Sequence, residues 1–181
     1  MFKRLLRWRM DKFERDFNYD MSYAREIAEY CPGAMLKINA VSGLAAYRRD
    51  LPLDVFHAAH IATALAEDCG PCTQLCVTMA EREGVKPATI RAILARDETA
   101  MPPEIALAVR FTRAVYNRDL RADEFREEIV KLYGKRGLVS LAISMSAGRF
   151  FPFAKYALGY GHACSRVVVG GAETVVPKHA A

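Results

Sequence analysis

The sequence predicts an all-α protein. Three observations carry this: nearly every periodic segment repeats its apolar residues at helical spacing, Pro and Gly punctuate the chain between those segments, and no β-branched strand precedes the Cys69-Gly70-Pro71-Cys72 motif. An opening helix is expected over about 2–17 and a second over about 20–30, stopping at the breaker Cys31-Pro32-Gly33. Ala34 to Tyr47 forms a third. A polar turn follows, and Pro52 begins the fourth helix, where its missing N–H does no harm. That helix holds His57 and His60 and ends around Asp68-Cys69-Gly70.

Pro71 suits the first position of the fifth helix, which Leu75, Val77, Met79 and Ala80 carry to Gly84, a natural stop. Pro87 opens a short helix through Leu94. Pro102-Pro103 opens a longer one through Tyr116, with Glu104 in its first turn favouring the positive end of the dipole. Asp123 to Tyr133 closes at Gly134. Leu138 to Ala147 and a final helix near 153–165 complete the set, with Phe150-Phe151-Pro152-Phe153 reading as a break between them. The organisation expected is a basic leader helix over 1–17, a helical domain over 18–166, and a loosely held tail over 167–181 in which Val167 to Val169 could add a short extended piece.

At 181 residues and 52% hydrophobic content, the chain can build one domain around a real core. The net charge of +5 is concentrated at the start, where Lys3, Arg4, Arg7, Arg9, Lys12 and Arg15 face only Asp11 and Glu14. The rest is nearly neutral, which argues against nucleic acid as a partner, since that needs a basic face on the folded body. Phe2, Leu5, Leu6 and Trp8 alternate with the leader's charges. Contact with a membrane surface is one reading of this pattern; docking on its own domain or on a neighbouring subunit is preferred. No secretory leader is expected, because the apolar run after Lys3 and Arg4 is only two leucines long. Leu138 to Tyr160 is the most apolar stretch, but Arg149, Pro152 and Lys155 interrupt it, so it reads as core or subunit interface rather than a membrane span.

Three of the five cysteines, Cys69, Cys72 and Cys76, lie within eight positions. A secreted disulfide framework would spread them, so the expected setting is the reducing cytoplasm, with a dedicated reactive site. A Cys-x-x-Cys pair is a redox signal because the second sulfur can resolve a mixed disulfide formed at the first. Cys72 falls in the first turn of its helix and Cys69 immediately before it, where unpaired backbone N–H groups stabilise a thiolate. Cys76 stacks one turn beyond Cys72, and Asp68 opposes a second negative charge nearby. On the preceding helix His60, Thr63 and Glu67 form one stripe, with His57 a turn earlier. In an antiparallel hairpin this stripe can approach the thiols, and a histidine could take a proton from one of them. The catalytic candidates are therefore Cys69, Cys72, Cys76, His57, His60 and Glu67.

Two blander readings stand beside this. The cysteines could be buried and structural, or Cys69, Cys72 and Cys76 with His57 or His60 could hold Zn²⁺. No fourth cysteine sits at iron–sulfur spacing. Neither a metal nor a cofactor is expected.

The chain resembles the AhpD-like proteins of the carboxymuconolactone decarboxylase superfamily. The residues that carry the likeness are the helix leading into Cys69-Gly70-Pro71-Cys72, the helix ending at Gly84, the segments VKPATIRAIL and PPEIALAVRFTRAVYNRD, and the closing EEIVKLYGKRGLVSLAISMSAGRF. It spans about 50–165. The family pattern places a Glu twelve residues before the first cysteine and a His four after the second; here those positions hold His57 and Cys76. The resemblance implies that Cys69 and Cys72 are the redox pair, while the Glu/His proton relay does not carry over intact. It further implies a helical fold assembled as a homotrimer or homohexamer, and thiol-dependent reduction of hydroperoxides or electron transfer to a peroxiredoxin-type partner through a thiol donor. A decarboxylase-like small-molecule enzyme without redox cycling is the alternative on the same fold.

Overall fold

The computed structural model describes residues 2–162 and 166–176. Eight α-helices dominate it: α1 (Phe2–Phe17), α2 (Ser22–Tyr30), α3 (Pro32–Ala45), α4 (Leu53–Ala66), α5 (Gly70–Arg82), α6 (Pro87–Ala95), α7 (Pro103–Asn117) and α8 (Ala122–Ala157). A short hairpin, β1 (Arg166–Val169) and β2 (Ala172–Val175), follows. The fold is all-α, as the spacing predicts, and α4 to α7 start at or next to the prolines that predict them, while α3 starts at Pro32 itself rather than after the Cys31-Pro32-Gly33 break.

Two cores meet in this fold. The larger packs α4 against α5, α6, α7 and α8 around residues such as Ile61, Val77, Ile90, Leu94 and Leu141. Its tightness comes from alanine: Ala58, Ala59 and Ala62 let neighbouring helices approach α4 closely. The smaller core gathers Leu6 and Met10 of α1, Tyr19, and Tyr23, Ala24 and Ala28 of α2 against Met35 and Ile38 of α3. The basic leader thus docks on its own chain, and Arg25 of α2 pairs with Asp11 and Glu14 on its inner side. Leu75 of α5 and Phe151 of α8 pack against the smaller core.

Two expectations are corrected. The break at Phe150-Phe151-Pro152-Phe153 does not occur, and α8 runs through Pro152 to Ala157. Its one interruption is a kink at Gly134, where the sequence predicts a stop and where φ 68° with ψ 176° is a combination only glycine adopts without strain. Pro152 costs a backbone hydrogen bond, about 3 kcal/mol in a helix interior. It is buried, however, and Phe151 beside it packs on the smaller core, so apolar burial offsets the loss. By length and composition α8 is the one helix among the described residues that could cross a membrane; here it packs along α3, α4 and α7.

The tail is the second correction. Residues 166–176 are held, with Val167, Val169 and Val176 inside the larger core. Gly170 and Gly171 both take positive φ, which suits a two-residue hairpin turn whose twist matches the strands. Gln74 of α5 grips β1 from both sides, its Nε2 donating to Val168 O at 3.1 Å and its Oε1 accepting from Val168 N at 2.7 Å. Gln74→Ala is expected to lower stability by about 1–2 kcal/mol, read as a shifted urea midpoint. Residues 177–181 of the predicted tail, and the 163–165 end of the predicted last helix with Cys164, lie outside the described residues.

Candidate active site around the Cys69–Cys72 disulfide

The turn from α4 to α5 sets the sulfur positions. Asp68 takes a left-handed φ of 47°, which a short polar side chain tolerates better than most. Cys69 N then donates back to Ala64 O at 3.3 Å, closing α4. Cys69 becomes the N-cap of α5, with Pro71 in the first turn. Cys69 and Cys72 are joined in a disulfide with Cα atoms 5.2 Å apart.

The orphan N–H groups of α5 are all accounted for. Gly70 N donates to His162 O at 3.0 Å and Thr73 N to Cys69 O at 2.9 Å. Cys72 N donates to Cys69 Sγ at 3.3 Å. Cys69 thus receives the helix-start donor that its position predicts. Cys72 has a different partner: Tyr19 Oη lies 3.9 Å from its Sγ. Tyr19 in turn accepts from Lys155 Nζ at 3.4 Å.

Lys155 is 1% exposed. Its Nζ lies 4.5 Å from the centre of the Tyr19 ring and 5.4 Å from that of Tyr23. Burial lowers its pKa, with Asp20 acting in the opposite direction. Burial also raises the Tyr19 and Tyr23 phenols, so both stay protonated at neutral pH.

Cys76 packs against the disulfide, partly buried, and burial pushes its thiol up to about 12. It is therefore a poor nucleophile at neutral pH. The other predicted residues are placed elsewhere. His57 is buried, with Nε2 3.2 Å from Glu83 Oε2 but without the alignment of a hydrogen bond. Glu83 caps the far end of α5; at 1.5 Å rise per residue, His57 stands about 15 Å along α4 from the turn that carries the sulfurs. Glu67 accepts from Tyr116 Oη at 2.9 Å and from Arg149 Nε at 2.7 Å, tying α4 to α7 and α8. His60 stacks on Phe56 with ring centres 4.4 Å apart, and its buried Nε2 has no partner. Among the described residues no histidine or carboxylate hydrogen-bonds to Cys69, Cys72 or Cys76.

Burial, with a smaller contribution from His57, holds the His60 pKa down at about 4. A base with a lowered folded pKa stabilises the fold above its unfolded pKa near 6.5 and loses that stability as pH falls toward 4. The expected slope is about 1.4 kcal/mol per pH unit across that window. His60→Leu is expected to flatten it, as measured by urea unfolding at pH 7 and pH 4.5.

Comparison with known proteins adds no relative. No family model, curated protein or solved structure matches the chain. The site therefore rests on its own geometry. Among the described residues no group of three or more His, Cys, Asp or Glu side chains is arranged to hold a metal ion, and two of the three thiols of the zinc reading are spent on the disulfide.

Sequence reasoning missed Tyr19 and Lys155. One signal was present: Lys155 is a lone lysine within the most apolar stretch of the chain. An isolated charge in such a stretch is either turned to solvent or buried with a task.

Proposed function

We propose that this chain is an AhpD-like dithiol–disulfide oxidoreductase that reduces hydroperoxides, or passes electrons to a partner peroxidase, by cycling Cys69 and Cys72. The observation that carries this reading is the disulfide at the N-cap of α5 with a separate hydrogen-bond donor aimed at each sulfur. A sulfur that must leave or attack as a thiolate needs such a donor; a static cross-link does not.

Cys69 is fully buried while Cys72 keeps 6% exposure, so an outside reagent meets Cys72 first. In the reduced enzyme the Cys72 thiolate attacks the outer oxygen of a hydroperoxide. The O–O bond breaks, Cys72 becomes a sulfenic acid, and the inner oxygen leaves as an alcohol after taking one proton. The Cys69 thiol condenses with the sulfenic acid, releasing water and closing the disulfide. A dithiol donor then reduces the disulfide and is itself oxidised to one. No bound cofactor enters this cycle, and the reducing cytoplasm would supply the thiol donor.

The test is peroxide consumption by the purified chain with dithiothreitol as the donor. Turnover well above the uncatalysed thiol–peroxide rate, lost in Cys72→Ser, is expected. A rate equal to buffer overturns the reading.

Burial favours one competitor, a decarboxylase-like small-molecule enzyme in which this disulfide is a permanent brace. That enzyme would tolerate Cys69→Ser and Cys72→Ser with only a loss of stability. Assembly as a homotrimer or homohexamer belongs to the proposal too. It is supported by exposed Leu36 and Leu44 on α3 and Val139 and Phe153 on α8. Light scattering is expected to give three or six times the 20.2 kDa chain mass.

A further inference from the structure

The buried lysine beside the disulfide has no role in the chemistry just described. Among the described residues no carboxylate lies within ion-pair distance of Lys155 Nζ, and its hydrogen bond goes to Tyr19 Oη. Burying an ammonium this way is costly, and such a group is normally paired or shifted toward neutrality. The direction of the contacts is fixed by chemistry. A disulfide sulfur carries no proton, so across this contact Tyr19 O–H donates to Cys72 Sγ; with its one proton so placed, Tyr19 Oη accepts from Lys155 Nζ, amine or ammonium alike. The result is an oriented chain, Nζ–H to Oη–H to Sγ, that reaches one sulfur of the pair and not the other.

We propose that Tyr19 and Lys155 form a buried proton wire ending on Cys72 Sγ, and that this wire makes Cys72 the attacking sulfur. It rests on the dithiol reading above. In the reduced enzyme the chain runs in reverse: the Cys72 S–H proton passes to Tyr19 Oη as the Tyr19 proton passes to the Lys155 amine, leaving a thiolate and an ammonium. When the thiolate attacks a hydroperoxide, the same proton returns through Tyr19 to the departing alkoxide. One thiolate, one ammonium and one hydroperoxide become a sulfenic acid, an amine and an alcohol, and no charge is left over. Tyr19 touches the reacting sulfur; Lys155 acts through Tyr19 and is a positioning and storage residue.

Two further observations fit. Burial keeps Tyr19 a phenol, so it conducts the proton without storing it, while burial loosens the proton on Lys155. The other titratable groups facing the wire are Tyr23 on α2, which interacts with Tyr19 through its hydroxyl, Asp20 before it and Cys76 on α5; His162 acts on Asp20. Neither His57 nor Cys76 hydrogen-bonds to Cys72, and among the described residues Tyr19 is the side chain that hydrogen-bonds to its sulfur from outside α5.

The test is the pH profile of Cys72 alkylation by iodoacetamide, resolved by mass spectrometry in the full chain carrying Cys69→Ser so that no disulfide can close. Adding Tyr19→Phe, which keeps the ring and its packing, is expected to slow labelling at pH 7 about ten-fold and raise the midpoint by about one pH unit. Lys155→Met is expected to do the same, with labelling of exposed Cys31 unchanged in both. A Cys72 midpoint unmoved by Tyr19→Phe, or moved there but not by Lys155→Met, overturns the wire. The readout needs no peroxide, so the two ideas can fail separately. A shifted midpoint in a chain that reduces no peroxide sinks the enzymatic reading alone; peroxide turnover with an unmoved midpoint sinks the wire alone.

Discussion

Cys72→Ser is expected to abolish peroxide turnover, by a factor of about 10³ or more, and Cys69→Ser to stall it one step later. The two sulfurs are not equivalent. Cys72 keeps the only exposure of the pair and lies against Tyr19 Oη, so the proposed cycle assigns it the attack. Serine in its place leaves no thiolate to open the O–O bond, and no sulfenic acid forms. Cys69 is fully buried and accepts from the Cys72 N–H, so the proposed cycle gives it the resolving step. With serine there and no donor thiol present, Cys72 is expected to consume one equivalent of peroxide and stop as a sulfenic acid. Trapping with dimedone followed by mass spectrometry separates these outcomes. A dimedone adduct on Cys72 in Cys69→Ser, and none on Cys69 in Cys72→Ser, is the expected pattern; the opposite pattern would reverse the assignment of roles.

The second large effect is on stability. Ile61→Ala is expected to cost about 3 kcal/mol, within the 2–5 kcal/mol range for such truncations. Ile61 is completely buried in α4, the helix that packs against four others, and the small residues Ala58 and Ala62 flank it one turn away and next in sequence. Nothing beside it can expand to fill the lost volume. Since a domain is held by only about 5–15 kcal/mol, the urea midpoint should fall markedly with an unchanged slope. A loss below about 1 kcal/mol would mean that α4 is not the central packing element.

The helices were legible because their starts carry explicit chemistry. Pro52, Pro71, Pro87 and Pro103 stand at or next to the first residues of α4 to α7, where a missing N–H is harmless. Pro152 misleads for the complementary reason. Local rules end a helix there, while burial of Pro152 against its neighbours keeps α8 continuous. That single difference hid half of the site: a helix cut at 150–153 leaves Lys155 as an interruption on a separate element, whereas continuous α8 carries it to Tyr19. The hairpin was half visible, since Val167 and Val169 alternate with exposed neighbours and Gly170-Gly171 supplies the turn, but its grip by Gln74 spans 94 residues. Tyr19 and Cys72, 53 residues apart, meet where Leu75 of α5 and Phe151 of α8 pack against the smaller core that holds Tyr19. Helical spacing puts His60, Thr63 and Glu67 on one face of α4 but does not say which neighbour that face meets. Thr63 meets Gly148 and Glu67 meets Tyr116 and Arg149, so this face turns to α7 and α8.

Reversible exchange between the two sulfurs is tested most directly by quantitative thiol trapping with mass spectrometry across a hydrogen peroxide titration of the reduced chain. Cys69 and Cys72 should lose their label together at about one equivalent of peroxide, while Cys31 and Cys76 stay labelled, and dithiothreitol should restore both. Labels on Cys69 and Cys72 that persist through excess peroxide, or vanish without recovery, would contradict a working dithiol–disulfide cycle.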